Sequence, residues 1–181
     1  MRIILGIDPG TQVTGYGLIS CEGKRMSLIG SGIIKMTKAQ VSHADKLKRI
    51  FDRVNSLIVE FKPTEMALEA PFHGKNVQSM LKLGRAQGVA MAAGLMHDLE
   101  VFEYAPRKVK MAVTGNGNAS KEMVAGMLEN TLKFKQGKYL DATDGLAVAV
   151  CHFYQDNALG GGKSYSGWGD FIKDNPDRKK R

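Results

Sequence analysis

Apolar and polar positions along the chain fall into runs whose period switches between two and about three and a half, and the switches mark out its elements. Residues 2–8 are a short, nearly continuous apolar run that stops at Pro9-Gly10, the pattern of a buried strand closed by a turn. Gly15 to Ser20 reads as a second strand, and Glu22-Gly23 turns the chain into a third from Met26 to Met36. Links this short predict an antiparallel meander. Ser42 followed by Asp45 is a helix-start signal, and Leu47, Ile50, Phe51, Val54 and Ile58 share one helical face before Lys62-Pro63 closes it. Thr64 to Ala70 predicts a fourth strand, and the helix-length crossover before it predicts a parallel place in the same sheet.

Residues 76–97 repeat at helical spacing but are rich in small residues: Gly84, Ala86, Gly88, Ala90, Ala92, Ala93 and Gly94. Glycine weakens an isolated helix, so close packing is expected to compensate, against the sheet or equally against the helix of a second copy. Glu100 to Tyr104 predicts a fifth strand, Pro106 opens a short helix, and Ser120 with Glu122 opens another running to about Leu132. Asp141 starts the last helix, with Leu146, Val150 and Phe153 as its apolar face. The expected order is of the βββαβαβαα type, an α/β fold with a mixed sheet. The 26 residues from Asp156 to Arg181 change character, with five glycines, scattered Tyr165, Trp168 and Phe171, and a basic end at Arg178 to Arg181. They are expected to carry no packed core and to form a disordered solubilising tail, the alternative being a basic arm that touches nucleic acid. The expected organisation is therefore a folded unit over 1–155 and a Gly-rich basic tail over 156–181.

Composition narrows the class. At 181 residues with 43% hydrophobic and 24% charged content, the chain suits one globular domain and excludes two large lobes. Cys21 and Cys151 form no metal-ligand or redox pattern, the opening residues do not resemble a signal peptide, and Asp8 interrupts the first apolar run far too early for a membrane span. A reducing, cytoplasmic setting follows. Lys and Arg number 26 against 18 Asp and Glu, a formal charge of +8, which suits a polyanionic partner and equally a well-solvated surface. From Phe72 to Lys138 there are ten basic residues against five acids, so the excess lies where a folded surface can hold it in place.

Against that basic background, a few acids stand where chemistry is done. Asp8 ends the first strand, where open α/β sheets face their ligand crevice, although Asp-Pro-Gly is also an ordinary turn. Glu69 ends the fourth strand, on the face opposite Met66 and Leu68. If the two strands are parallel neighbours, these carboxylates project side by side. Asp141 and Asp144 share a face at the start of the last helix; Asp141 is a natural cap, whereas Asp144 precedes Leu146, Ala147 and Val148 and so lies where the helix turns inward. Four converging acids repel one another and raise their own pKa values unless divalent metal neutralises them, and carboxylates favour hard cations such as Mg²⁺ or Mn²⁺. Two such ions about 4 Å apart can hydrolyse a phosphodiester.

Six segments, Gly6-Ile7-Asp8-Pro9-Gly10-Thr11, Leu68 to Asn76, Leu83-Gly84-Arg85-Ala86-Gln87-Gly88, Tyr104 to Lys110, Gly115 to Lys121 and Asp141 to Ala147, fall in order along the chain. Taken together, they resemble the RuvC family of bacterial Holliday junction resolvases. The resemblance spans roughly residues 1–155 and implies an RNase H-like fold with a five-stranded mixed sheet flanked by helices. It also implies a homodimer, Mg²⁺-dependent paired nicking of a four-way DNA junction, two ions per site with Mn²⁺ able to substitute, and partnership with the RuvA-RuvB branch-migration complex. By position, Asp8, Glu69, Asp141 and Asp144 match the metal-binding acids, and Lys110 and Lys121 match lysines near the scissile phosphate. Phe72 matches an aromatic that stacks on junction bases. Lys75, Asn76, Arg85, Arg107 and Lys108 are further expected DNA contacts. His73 and Pro71 depart from the usual pattern of that loop. A RuvC-like nuclease acting on ribosomal RNA shares the fold and the acids, but the Phe72 loop and the lysine-bearing Tyr104 to Lys121 segment favour the junction resolvase. An actin-like ATPase would need a second lobe and a second Asp-x-Gly-Thr, and a non-enzymatic DNA-binding protein leaves the acids unexplained.

Overall fold

A computed structural model describes residues 1–37, 42–71, 76–134 and 141–159, the last four of these through their backbone alone. Strands β1 (Arg2–Asp8), β2 (Val13–Glu22) and β3 (Arg25–Lys35) form the expected antiparallel meander. Gly23, at φ 58°, supplies the left-handed residue of the tight turn between the last two. Helix α1 (His43–Phe61) opens on a complete capping box between Ser42 and Asp45 and ends at Lys62. It crosses to β4 (Glu65–Glu69), which lies parallel to β1, with Ile4 opposite Glu65 and Ile7 opposite Leu68. Helix α2 (Val77–Leu95) crosses to β5 (Glu100–Tyr104), parallel to β4. The sheet order is β3-β2-β1-β4-β5, mixed and five-stranded, in an RNase H-like α/β fold.

Three helices follow β5, each starting where its opening residues predict: α3 (Pro106–Thr114), α4 (Lys121–Leu132) and α5 (Asp141–Leu159). The short helix stands as an element of its own because Gly115, at φ 74°, stops it in a left-handed cap. Helix α5 also runs through the expected boundary at 155/156 and on to Leu159; residues 160–181 lie outside the described chain.

Alternation along the central strands divides the core in two. Ile3, Leu5 and Ile7 of β1 and Met66 and Leu68 of β4 face α1 and α2, whereas Ile4 and Ala67 face α3, α4 and α5. Asp8 and Glu69 continue this second set, so both carboxylates emerge on the side of α5. That helix is drawn unusually close: a Cβ on Gly15 would lie 2.1 Å from the Asp141 carbonyl oxygen, and one on Gly145 would lie 2.5 Å from the Tyr16 Cα. Glycine at both positions lets the helix that carries Asp141 and Asp144 rest on β2 beside the end of β1. Small residues along α2 divide by face. Ala86, Ala90 and Ala93 are fully buried and Gly94 abuts Met66, but among the described residues a Cβ on Gly84 or Gly88 would meet nothing within 4 Å, so the close packing expected of them is not made against the sheet. Among the described residues, no helix is long and apolar enough to cross a membrane.

Candidate active site

A cleft of about 100 Å³ opens at the C-terminal ends of β1 and β4. Asp8, Glu69 and Asp144 line it together with Lys110, Lys121 and the apolar Pro106, Val109, Val124 and Ala147. Each polar group reaches it from a separate element: β1, β4, α3, α4 and α5. The Asp-Pro-Gly turn does not consume Asp8, because the Thr14 hydroxyl serves the turn instead, accepting from the Gly10 amide at 3.1 Å and donating to the Gly10 carbonyl at 3.0 Å. Among the described residues, nothing donates a hydrogen bond to the Asp8 carboxylate. Asp144 and Asp141 differ as their places in the helix predict, with side chains 16% and 47% exposed. Asp141 is not a lining residue, but it reaches the same ammonium as Asp144. Lys121 Nζ lies 2.6 Å from Asp144 Oδ2 and 3.5 Å from Asp141 Oδ1.

The electrostatics are those of too many acids in too little water. Burial, and then the charges of Asp144 and Asp141, raise the Asp8 pKa to about 7 against a partial offset from Lys121. Burial, then Asp8 and Asp144, push Glu69 up to about 8, with Lys121 and Lys110 opposing. Burial also raises Asp144, although its hydrogen bond from Lys121 works the other way. Burial alone would lower Lys121, but the hydrogen bond to Asp144 and the surrounding carboxylates outweigh it and raise its pKa. Among the described residues, no three acidic, imidazole or thiol side chains stand in a ligating arrangement. The Lys121 ammonium sits among the carboxylates and offsets their charge only in part. The donor chemistry nevertheless suits a hard divalent cation: only carboxylate oxygens are offered, and burial and mutual repulsion make the charged forms of Asp8 and Glu69 costly without added positive charge.

The remaining expected contacts are dispersed. Arg107 and Lys108 are exposed on α3, with Lys108 Nζ 5.2 Å from the centre of the Tyr104 ring, and Arg85 is exposed on α2. Asn76 caps α2, its Oδ1 accepting from the Ser79 amide at 3.0 Å. Phe72 and Lys75 lie outside the described residues, as does His73.

One arrangement escaped the sequence reading. At the opposite end of β4, Glu65 accepts hydrogen bonds from Arg2 Nε and Nη2 at 2.7 and 2.6 Å. His152 of α5 places Nε2 2.6 Å from Glu65 and Nδ1 2.7 Å from the Tyr104 hydroxyl. His152 is buried, and a lone histidine on an apolar helix face announces no partner in sequence. Gly145 directly after Asp144, and glycines at alternate positions 15 and 17 of a strand, were the readable sign of the close helix-sheet contact.

Comparison with known proteins identifies the family. The family profile described as crossover junction endodeoxyribonuclease RuvC matches residues 4–152. The crossover junction endodeoxyribonuclease RuvC of Christiangramia forsetii is 59% identical over 178 residues, covering 98% of this chain and 92% of the relative. The protein of the same name from Cytophaga hutchinsonii is 57% identical and covers 99% of this chain and 88% of the relative. Among solved structures, T. thermophilus RuvC in complex with a Holliday junction substrate superposes with a TM-score of 0.79 at 28% identity, covering 87% of this chain and 96% of that one. Kinship over nearly the whole length, on a fold that brings strand-end acids to one cleft, makes this chain a member of the RuvC family.

Proposed function

We propose that this protein is a structure-specific endonuclease that resolves four-way DNA junctions by paired, divalent-metal-dependent phosphodiester hydrolysis. The observation that carries the reading is the cleft itself, where acids from β1, β4 and α5 meet lysines from α3 and α4 in a chain of net charge +8. Asp8, Glu69, Asp141 and Asp144 would hold Mg²⁺, two ions per site, with Mn²⁺ as a substitute. What a metal held there would supply is a lowered pKa for an attacking water and compensation of charge on the leaving oxygen. The chain's own groups do the rest. Lys110 and Lys121 stabilise charge growing on the scissile phosphate, and Arg85, Arg107, Lys108, Asn76 and Lys75 hold the strands through phosphate contacts. Phe72, three residues past Glu69, unstacks bases at the crossover.

Paired nicking needs two sites, and α2 supports a homodimer. Val77 and Leu81 are 65% and 50% exposed, and with Gly84, Gly88 and exposed Leu95 they form one outward stripe at helical spacing, its glycines open to the close approach of a second helix. The cytoplasm and the RuvA-RuvB complex belong to the proposal on family kinship alone. The test is cleavage of a synthetic four-way junction beside a linear duplex and a structured ribosomal RNA fragment. Paired, ligatable nicks in the junction alone, dependent on Mg²⁺ or Mn²⁺, are the expected result. Preferred cleavage of the RNA, or metal-independent cleavage, overturns it.

A further inference from the structure

At the far end of the sheet from the acids, a cleft of about 690 Å³ lies between the β2–β3 turn, the C-terminal end of α4 and the later turns of α5. Helices α4 and α5 begin at Lys121 and Asp141, so this cleft sits at their opposite ends and takes no part in the site above. Its floor is apolar and aromatic, built from partly buried Met26, Leu28 and Phe134, buried Phe153, and Tyr154, which is 37% exposed. Its rim is cationic. Lys24, Arg25 and Lys133 are all exposed, and among the described residues none of them has an acidic partner at ion-pair distance.

We propose that this cleft docks the chain's own C-terminal segment, seating Tyr165, Trp168 and Phe171 on the aromatic floor and Asp170, Asp174 and Asp177 against the cationic rim. The charges are complementary: residues 164–177 hold those three aspartates and one lysine, Lys173, whereas the rim holds three cations. The segment reaches easily. Tyr154 lines the cleft and Tyr165 follows eleven residues later, past Gly160, Gly161 and Gly162. Helix α5 takes up the first five of those residues, to Leu159, with about 7.5 Å of rise, and a linker of the remaining six spans roughly 12–15 Å, enough to turn back to the cleft and hold the segment at an effective concentration of about millimolar beside it. It is also no private extension of this chain. Matches covering 98% and 99% of the chain, in the two relatives named above, run through it, although the family profile stops at residue 152. Docked there, the segment ties the C-terminal end of α4 to the β2–β3 turn and leaves the basic end at Arg178 to Arg181 free.

Trp168 is the only tryptophan, so its fluorescence reports on this segment alone. In the full-length protein without DNA, its emission is expected to lie to the blue of that of the urea-unfolded chain and to resist acrylamide quenching, independently of protein concentration. The double variant Lys24→Glu/Arg25→Glu changes only exposed side chains, and circular dichroism checks that it folds. It should shift the emission to the red and expose the indole to quencher, each exposed charge pair changing the docked-to-free ratio by about 1.5-fold to fivefold. Adding Asp170→Lys/Asp174→Lys to that variant should restore the shielding. Four results would overturn the proposal: a parent indole as open to quencher as in the unfolded chain, no response to the charge reversals, shielding that grows with protein concentration and so marks a second copy, or shielding that appears only with DNA and so marks a nucleic-acid arm.

Discussion

Strand β4 carries a glutamate at each end, on the same face, and the two stand in opposite electrostatic settings. Burial acts to raise the Glu65 pKa, but hydrogen bonds from Arg2 and His152 outweigh it and hold the carboxyl below its ordinary value. Four residues on, Glu69 is driven up to about 8 by burial and by Asp8 and Asp144, with only Lys121 and Lys110 in opposition. The fold answers the first charge from within and leaves the second group in deficit. A partly buried carboxylate that the chain's own cations balance serves stability; one among more acids than cations serves binding and chemistry.

Substitutions that should break this contrast differ widely in size. The largest effect is expected from Asp8→Asn or Glu69→Gln, which should lower junction cleavage by at least about a thousandfold, because metal-assisted stabilisation of the transition state is worth several kcal/mol. Junction binding should persist or tighten, since the basic surface is untouched; gel-shift and single-turnover assays on one preparation read both. Lys121→Ala comes next, with a loss of about a hundredfold in rate and a much smaller loss in affinity if the ammonium stabilises charge at the scissile phosphate. Equal losses in rate and affinity would make it an anchor.

At the other end of the strand the readout is stability. Glu65→Gln should cost about 1–3 kcal/mol in urea unfolding, because Arg2 and His152 lose a charged partner, while cleavage per folded molecule is unchanged. Glu69→Gln should be neutral or stabilising in the metal-free protein. A Glu69→Gln protein less stable than Glu65→Gln would end the comparison.

The smallest expected effect is on pH dependence, and its sign differs between the two ends. Glu65, with a depressed folded pKa, contributes stability that is present above its unfolded value of about 4.5 and lost as pH falls through the folded one. For Glu69 and Asp8 the folded values, about 8 and about 7, lie above the unfolded ones, so the metal-free native state holds more protons and stability falls as pH rises across that window. Melting temperatures of the metal-free protein should therefore decline from mildly acid pH toward about pH 8, and Glu69→Gln should flatten the decline.

Much of this arrangement was legible in sequence, for identifiable reasons. Asp8 and Glu69 interrupt apolar strands at their ends, and strand parity alone put both on one face once β1 and β4 were read as parallel neighbours. Asp144 stood out against the apolar residues behind it. Lys110 and Lys121 were legible only through family resemblance, because nothing in the spacing of an exposed lysine says which way its long side chain turns. The partnership of Glu65 with His152 and Arg2 joins residues 87 and 63 positions apart in sequence, and no periodicity encodes such a contact. The tight seat of α5 on β2 left a sign in sequence, glycines at 15, 17 and 145, but which of them meet face to face depends on segments far apart in the chain and shows only once it is folded.

The central claim is that Glu69 lacks in the folded chain what Glu65 has, and that a divalent cation supplies it. The direct measurement is thermal melting of the parent, Glu65→Gln and Glu69→Gln proteins at a pH of about 8, without metal and with saturating Mg²⁺. A ligand at about 100 times its dissociation constant stabilises by about 2.7 kcal/mol. The account predicts a Mg²⁺-induced rise of the same size in the parent and in Glu65→Gln, the latter from a lower baseline, and none in Glu69→Gln. A full rise in Glu69→Gln, or none in the parent, would contradict it.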